Sequence, residues 1–336
     1  MNMRIETLRG LACLLLVTYH VIGADQSLGL RIGEGPLRWI NDGLAYLRMP
    51  LFTFLSGLVY GLRPFSGSSG AFLTGKARRL LIPMLFVGTL FAVLQAMVPG
   101  TNGPASPWYL LHLQPVGHFW FVESLFWVFL LIWALERFGP LQQAQGFLIV
   151  FALSCVLYLS VRGVSWLGIE GAIYLLPYFL AGLACSRFPI RPLLNSPLVK
   201  LGLAALAVGS VVWMGLPVPN PDRRTAAMLV AGVTLCLLSL SFGVVNNGLA
   251  RLGSHAYPIY IFHVFFTASS RIGLNLLGID SLLLDILAGV IFGLLGPILV
   301  ERMVSPFKWP ALLMLGKSVP VRSRPASFGG SSAVAR

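Results

Sequence analysis

The chain has 336 residues, of which 57% are hydrophobic and only 10% are charged, and its formal net charge is +13. A soluble domain carries about one quarter charged residues, so this composition excludes a soluble globular protein and indicates a polytopic membrane protein. The positive charge does not indicate nucleic acid as a partner, because basic residues accumulate in the cytoplasmic loops of membrane proteins. The fold is therefore expected to be an all-α bundle of transmembrane helices surrounded by membrane lipid.

About ten apolar segments are long enough to cross a bilayer, which takes about 20 residues per helix. The first segment resembles a signal peptide, with Arg4 and Arg9 before its apolar centre. No small-residue cleavage site follows it and further spans do, so it is predicted to be a retained helix. In chain order the predicted spans are 6–24, 43–62, 80–98, 118–135, 144–161, 169–186, 198–215, 225–245, 254–272 and 281–300.

The distribution of Lys and Arg orients these spans. If the N-terminus is cytoplasmic, two thirds of the 24 Lys and Arg residues fall on the cytoplasmic side and a quarter on the other. This asymmetry predicts that both termini are cytoplasmic. Residues 1–315 are expected to form the membrane domain, and the small, polar and basic residues 316–336 a disordered cytoplasmic tail. The four cysteines are interpreted as buried small hydrophobes, and the spacing of the five histidines predicts no metal site.

The first span carries two side chains that are costly in hydrocarbon, Arg9 and His20. Ionisable groups inside a membrane are functional candidates by default, because even lenient scales give a charge at mid-bilayer a cost of about 2.5–3.5 kcal/mol. On a helix the two residues share one face and lie about 16 Å apart along the axis. Glu6 is placed to pair with Arg9. Arg9 alone would be interpreted as an interfacial residue and His20 alone as a satisfied core residue, whereas the aligned pair favours a site.

Five segments of the chain form a recognisable series. They are RIETLRG with the YH that follows it, MPLFTFLSGLVYG (49–61), KARRLLIP (76–83), HFWFVESLF (118–126) and HAYPIYIFHVFF (255–266). In sequence and in order they resemble motifs of the integral-membrane acyltransferases of the acyltransferase-three family, which includes bacterial O-acetylases of surface glycans, fucose and nodulation factors. Two positions depart from the family's pattern. Glu6 replaces the usual Asp and keeps its charge, and Lys76 replaces an Arg and loses a bidentate guanidinium.

The resemblance implies transfer of an acyl group, expected to be acetyl, from cytoplasmic acyl-CoA to a hydroxyl of a carbohydrate or lipid-linked glycan acceptor on the outer side. It implies a multi-pass protein of the bacterial plasma (inner) membrane. It also implies that His20 is the catalytic residue and Arg9 its partner in the motif. Acyl-CoA is then a co-substrate, and no permanently bound cofactor is expected.

The chemistry of the residues agrees with this activity. Acyl transfer to a hydroxyl needs a general base, and histidine titrates near neutral pH, so His20 suits that role. The oxyanion formed on the thioester needs nearby donors, for which Ser56, Trp120, Tyr260 and His263 are candidates that the sequence does not rank. Since no G-x-S-x-G motif is present, direct transfer in a ternary complex is favoured, with an acyl-histidine intermediate as the alternative.

Basic residues near the cytoplasmic surface are candidates for binding acyl-CoA. Lys76, Arg78 and Arg79, together with Arg9, are suited to its phosphates. The alternative interpretation is topological, because positive residues flank most cytoplasmic helix ends.

Other polar residues inside the predicted spans have more than one interpretation. Glu123 is a candidate catalytic carboxylate that orients a histidine or faces a water-filled acceptor cavity. A structural role is at least as well supported for His118. Arg48 is expected to contact an acidic substrate or to pair with Asp42 or Glu170.

Two other functional classes stay open from the sequence. A small-molecule transporter or exporter would also place charges inside the membrane, although neither an inverted repeat nor paired broken helices are present. A membrane sensor or scaffold would not need the aligned Arg9 and His20. For the enzyme, we predict a through-membrane channel that is narrow at His20, with a basic inner vestibule and an outer vestibule lined by Trp120, Glu123 and His263. The alternative is that both substrates bind on the cytoplasmic side and a flippase exports the product.

Overall fold

A computed structural model describes residues 2–99, 101, 107–213 and 224–318, and this part of the chain is built from α-helices joined by short connections. The helices are α1 (Met3–Ile22), α2 (Pro36–Gly43), α3 (Arg48–Leu62), α4 (Ser69–Met97), α5 (Trp120–Phe138), α6 (Ala144–Ser160), α7 (Ile169–Arg187), α8 (Ile190–Leu194), α9 (Pro197–Trp213), α10 (Ala226–Phe242), α11 (Asn247–Ser254), α12 (Ala256–Leu276), α13 (Leu282–Val304) and α14 (Lys308–Leu315).

The predicted apolar segments each coincide with one longer helix: α1, α3 to α7, α9, α10, α12 and α13. The short helices α2, α8, α11 and α14 were not predicted, because five to eight residues are too few for an apolar period to stand out. The predicted start of α4 at residue 80 was wrong. Ser68 caps the helix by accepting a hydrogen bond from the backbone N–H of Ala71, so α4 begins before the KARRLLIP motif and carries it.

Several of these helices are suited to a membrane. Among the described residues, five helical segments are long and apolar enough to cross one, and α6, α9 and α10 are shorter apolar helices. The fold is thus all-helical with several apolar helices, whereas the number of ten crossings and the cytoplasmic placement of both termini stay predictions. Most of the predicted tail, residues 319–336, lies outside the described part. The long segments are Met3–Ile22, Ser69–Met97, Gly117–Phe138, Ile169–Arg187 and Leu282–Val304.

Glycines set the closest helix crossings in the bundle. A Cβ atom on Gly57 of α3 would overlap the carbonyl of Phe179 on α7, and one on Gly182 of α7 would overlap the carbonyl of Phe54. The missing side chains therefore let the two backbones touch, as small residues do in membrane helix packing. A Cβ atom on Gly10 of α1 would likewise overlap the carbonyl of Leu249 on α11. These crossings hold α1, α3 and α7 close to their neighbours, and the three helices carry His20, Arg48 and Tyr174.

Candidate active site

A cavity of about 580 Å³ lies between α1, α4, α12 and α13. Its walls come from the last turns of α1, α4 and α12 and the first turns of α3, α5 and α13, so these turns lie at one end of the bundle, which we name the cavity end. The volume is in the range of small-molecule sites. The polar and aromatic side chains in its lining include Tyr19, His20, Arg48, His118, Trp120, Tyr174, Tyr260 and Arg271.

Three histidines from distant parts of the chain meet beside this cavity. His20, in the last turn of α1, has its ring centre 4.7 Å from that of His263 on α12 and 6.0 Å from that of His118. The rings of His118 and His263 are 4.9 Å apart. His118 and His263 are buried, with exposed fractions of 7% and 0%, whereas His20 is half-buried and lines the cavity. We name these three residues the histidine cluster.

Backbone carbonyls of α12 hold two of the three rings. Nδ1 of His263 lies 2.9 Å from the carbonyl oxygen of Ile259 and 2.8 Å from that of Tyr260, and Nε2 of His118 lies 3.2 Å from that of Ile261. A carbonyl oxygen only accepts, so these ring nitrogens carry the N–H. The Tyr260 hydroxyl donates to the carbonyl of His118, which ties the turn before α5 to α12 a second time.

The candidate oxyanion donors differ in where their polar groups point. The Ser56 hydroxyl donates to the carbonyl of Phe52 at 2.9 Å inside α3, and the Tyr260 hydroxyl is used by His118. His263 uses its N–H on its own helix. Trp120 lines the cavity and packs beside Tyr174, with their ring centres 6.2 Å apart. Of the two candidates that line the cavity, Trp120 and Tyr260, only Trp120 keeps its polar group unbonded to a backbone carbonyl of the described residues.

Glu123 lies one turn into α5 and is buried, with 4% of its surface exposed. It packs beside Gly168, and the hydroxyl of the neighbouring Ser124 donates to the Gly168 carbonyl at 2.7 Å. Glu123 is not among the residues that line the cavity. The position of Glu123 thus does not support the prediction that its carboxylate faces the acceptor, and its catalytic role stays a prediction.

Arg48 is buried at the start of α3 and lines the cavity. Its guanidinium donates to the side-chain oxygen of Asn41 at 2.9 Å and also to the Asn41 carbonyl. It stacks on the ring of Tyr19 at 4.3 Å. These contacts hold a positive charge in the cavity wall next to His20. The two carboxylates predicted as partners lie near other arginines, Asp42 at 3.9 Å from Arg38 and Glu170 at 3.9 Å from Arg224.

The predicted pairing of Arg9 with Glu6 is confirmed. Arg9 Nη1 lies 2.8 Å from Glu6 Oε1, and Glu6 is buried with 5% of its surface exposed. Both residues are on the part of α1 that packs against α11, because Gly10 touches the backbone of Leu249 and Gly253 touches that of Glu6. This region is two to three turns away from the cavity end, and we name it the basic end.

The other predicted acyl-CoA-binding residues lie toward the basic end on α4. The amine of Lys76 lies 3.4 Å from the centre of the Phe129 ring on α5. Arg79 stacks on Tyr257 at 5.6 Å, at the start of α12, and Tyr257 donates to its carbonyl. Nε of Arg78 is buried without a hydrogen-bond partner among the described residues. None of the three lines the cavity, whose nearest lining residue on α4, Phe91, is about 18 Å along the helix from Arg79.

The sequence interpretation did not name Tyr19 and Tyr174 as site residues, and for His118 it judged a structural role at least as well supported. His118 stands in the HFWFVESLF motif and Tyr19 directly precedes His20, so the motifs themselves carried a signal for both. Tyr174 lies in an ordinary apolar segment and shows no such signal. Within the part of the chain that the structure describes, no group of three or more His, Cys, Asp or Glu side chains has a geometry that could hold a metal ion.

Of three comparisons with known proteins, one found a match. Searches of curated proteins and of solved structures found no match. A family model described as "Acyltransferase domain" matches residues 2–302, which cover the histidine cluster, the cavity and the basic residues of α4. Since this match spans most of the chain and its apolar helices are those of a membrane protein, the chain belongs to the membrane acyltransferases of the acyltransferase-three family.

Proposed function

We propose that this acyltransferase moves an acyl group, in the first instance acetyl, from acyl-CoA to a hydroxyl of a carbohydrate or lipid-linked glycan, with His20 as the general base. The observation that carries the proposal is the position of His20 in the wall of the 580 Å³ cavity. Aromatic rings of Tyr19, Trp120 and Tyr174 share this wall with polar groups. Flat apolar faces beside hydrogen-bonding groups suit the two kinds of surface that a sugar presents.

The proposed reaction is a direct transfer in a ternary complex. A ring nitrogen of His20 takes the proton of the acceptor hydroxyl while its oxygen attacks the thioester carbonyl. The new C–O bond forms and the C–S bond of the thioester breaks. His20 then gives the proton that it took from the acceptor hydroxyl to the departing CoA sulfur. Trp120 is the proposed donor to the oxyanion, because its side chain is in the cavity.

We place acyl-CoA at the basic end, with its phosphates beside Arg9, Lys76, Arg78 and Arg79. Continuous helix between Arg9 and His20 supports this placement, since it separates them by about 16 Å, a distance suited to an extended pantetheine arm. The proposal includes ten membrane crossings in a bacterial plasma membrane, with the basic end cytoplasmic and the cavity end outside. The acceptor then reaches His20 through the cavity, from the side opposite to acyl-CoA.

The experiment that tests the enzyme uses purified protein, acetyl-CoA and the glycolipid fraction of the native membrane as acceptor. We expect release of free CoA thiol that depends on the acceptor. A transporter without acyl-transfer chemistry would release none, so the absence of thiol release with every hydroxyl acceptor tried would contradict the proposal.

Sidedness requires sealed vesicles with the cytoplasmic face outward. With labelled acetyl-CoA supplied outside, the label is expected on acceptor trapped in the lumen, and vesicles carrying His20→Ala serve as the control. Label confined to acceptor added on the cytoplasmic face would overturn transfer across the membrane and support a separate flippase.

A further inference from the structure

Two acceptor atoms of the histidine cluster are left without a donor. Nε2 of His263 and Nδ1 of His118 are buried and have no hydrogen-bond partner among the described residues. The other nitrogen of each ring, Nδ1 of His263 and Nε2 of His118, carries the N–H and donates it to carbonyl oxygens of α12. These bonds fix the orientation of both rings. In the neutral form both free nitrogens therefore carry a lone pair. Buried polar atoms without a partner are rare in folded proteins, and each one calls for an explanation.

Both lone pairs belong to rings that adjoin His20. The ring of His263 is the nearer, at 4.7 Å between centres, and the planes of the two rings are inclined at 63°. His20 and His118 both line the cavity, whereas His263 is completely buried. The His20 imidazole therefore borders the cavity and, on another side, rings whose buried nitrogens can accept a hydrogen bond.

A general base needs such an arrangement. A neutral imidazole accepts a proton on one nitrogen only if its other nitrogen carries the N–H, and an acceptor on that side fixes the tautomer and the ring orientation. In many hydrolases a carboxylate has this role. Orienting a histidine was one of the two roles predicted for Glu123, but in the described part of the chain Glu123 packs beside Gly168, whereas His263 is in ring contact with His20.

We propose that His263 is the positioning residue of His20: its Nε2 lone pair accepts the N–H of His20, so that the tautomer of His20 has its lone pair on the other nitrogen, which takes the proton of the acceptor hydroxyl. Nδ1 of His118 is the second acceptor in the same space. This inference rests on the proposed function of His20. The proton that His20 takes from the acceptor is not passed to His263 before the CoA sulfur receives it, because a charge on the fully buried His263 ring would lose more solvation than one on His20 beside the cavity.

The test is a matched pair of variants, His263→Gln and His263→Met. A glutamine side chain brings an acceptor to about the place of Nε2, whereas methionine has a similar length and offers no comparable acceptor. With acetyl-CoA and the native glycolipid fraction, we expect His263→Met to lower kcat about 10-fold or more while both apparent KM values stay within about 2-fold. His263→Gln should recover a large part of the lost kcat. Thermal unfolding in detergent checks that the two variants are folded alike.

Three results would overturn the inference: wild-type kcat in His263→Met, equal losses in the Gln and Met variants, or a further loss when His263→Met is added to His20→Ala. The double variant is informative because a residue that acts only through His20 should have no further effect on kcat once His20 is replaced. If His263→Met does not insert, the pair His118→Asn and His118→Leu decides in the same way, since asparagine keeps an acceptor near Nδ1. High activity in His20→Ala alone would instead contradict the proposed function.

Discussion

The rings of His20 and His263 lie 4.7 Å apart, although one residue is on the first helix and the other on α12. This contact joins a residue that lines the cavity to one that is completely buried. The N–H of His263 is donated to carbonyl oxygens of its own helix, so the nitrogen on the other side of this ring can only accept a hydrogen bond. The pair therefore has one side that borders the cavity and one side that is closed to it.

Replacing His20 by alanine should abolish transfer without affecting insertion. The expected loss of kcat is at least about 10²-fold, the usual contribution of a general base. Release of CoA thiol from acetyl-CoA measures it. The control is His112→Ala, a half-buried histidine that bonds Thr89 and is not among the residues that line the cavity, and it should retain kcat within about 2-fold. Near-wild-type turnover in His20→Ala would remove the assignment of the base.

Charge removal at the basic end should weaken the binding of acyl-CoA selectively. Arg78→Gln and Arg79→Gln are expected to raise the apparent KM for acetyl-CoA more than that for the acceptor, because phosphate contacts made equally in ground and transition states affect KM. Arg251→Gln, an exposed arginine on the nearby helix α11, is the matched control and should change neither value. Equal changes for both substrates would favour the topological interpretation of these charges.

The opposite pattern is expected for the aromatic wall of the cavity. Trp120→Leu removes a ring that lies beside Tyr174 and also removes the proposed oxyanion donor, so kcat should fall and the apparent KM for the acceptor should rise about 3–10-fold, while the apparent KM for acetyl-CoA stays unchanged. Initial-rate measurements with each substrate varied in turn give both values. A rise confined to acetyl-CoA would place the donor, and not the acceptor, in the cavity.

The crossing of α3 and α7 should not tolerate a methyl group. Gly57→Ala places a Cβ atom against the carbonyl of Phe179, and overpacking of this kind costs about 1–3 kcal/mol. Thermal unfolding in detergent should show a lower Tm. Gly202→Ala on α9, where a Cβ atom meets nothing, is the control and should not lower it. A stable Gly57→Ala variant would mean that the two helices are farther apart than described.

Reporter fusions test the topology that the charges predict. Fusions at Gly70 and after Arg336 should report the cytoplasm, and a fusion at Asn102 the outer side, because positive residues are retained on the cytoplasmic side. Gly70 lies in the first turn of α4, while Asn102 and Arg336 lie outside the described residues. A fusion after Arg336 that reports the outside would require an odd number of crossings.

Much of the architecture could be predicted from the sequence, because the underlying signals are local. An apolar segment of sufficient length forms a helix whatever its neighbours are, and every predicted segment contains one. The pairing of Arg9 with Glu6 was also predictable, since residues three apart on a helix are neighbours. The acyltransferase-three family followed from short motifs whose residues are adjacent in the chain.

The composition of the site was decided by the tertiary structure. His20 is on α1, His118 is in the turn before α5, and His263 is on α12. Helical periodicity predicts which face of a helix a residue occupies, but it does not predict which other helix packs against that face. The same reason explains why Arg48 contacts Asn41 and Tyr19, and why Glu123 lies outside the cavity lining. Close crossings such as that of Gly57 with α7 set these neighbours, because the approach of two backbones depends on the shapes of both helices together.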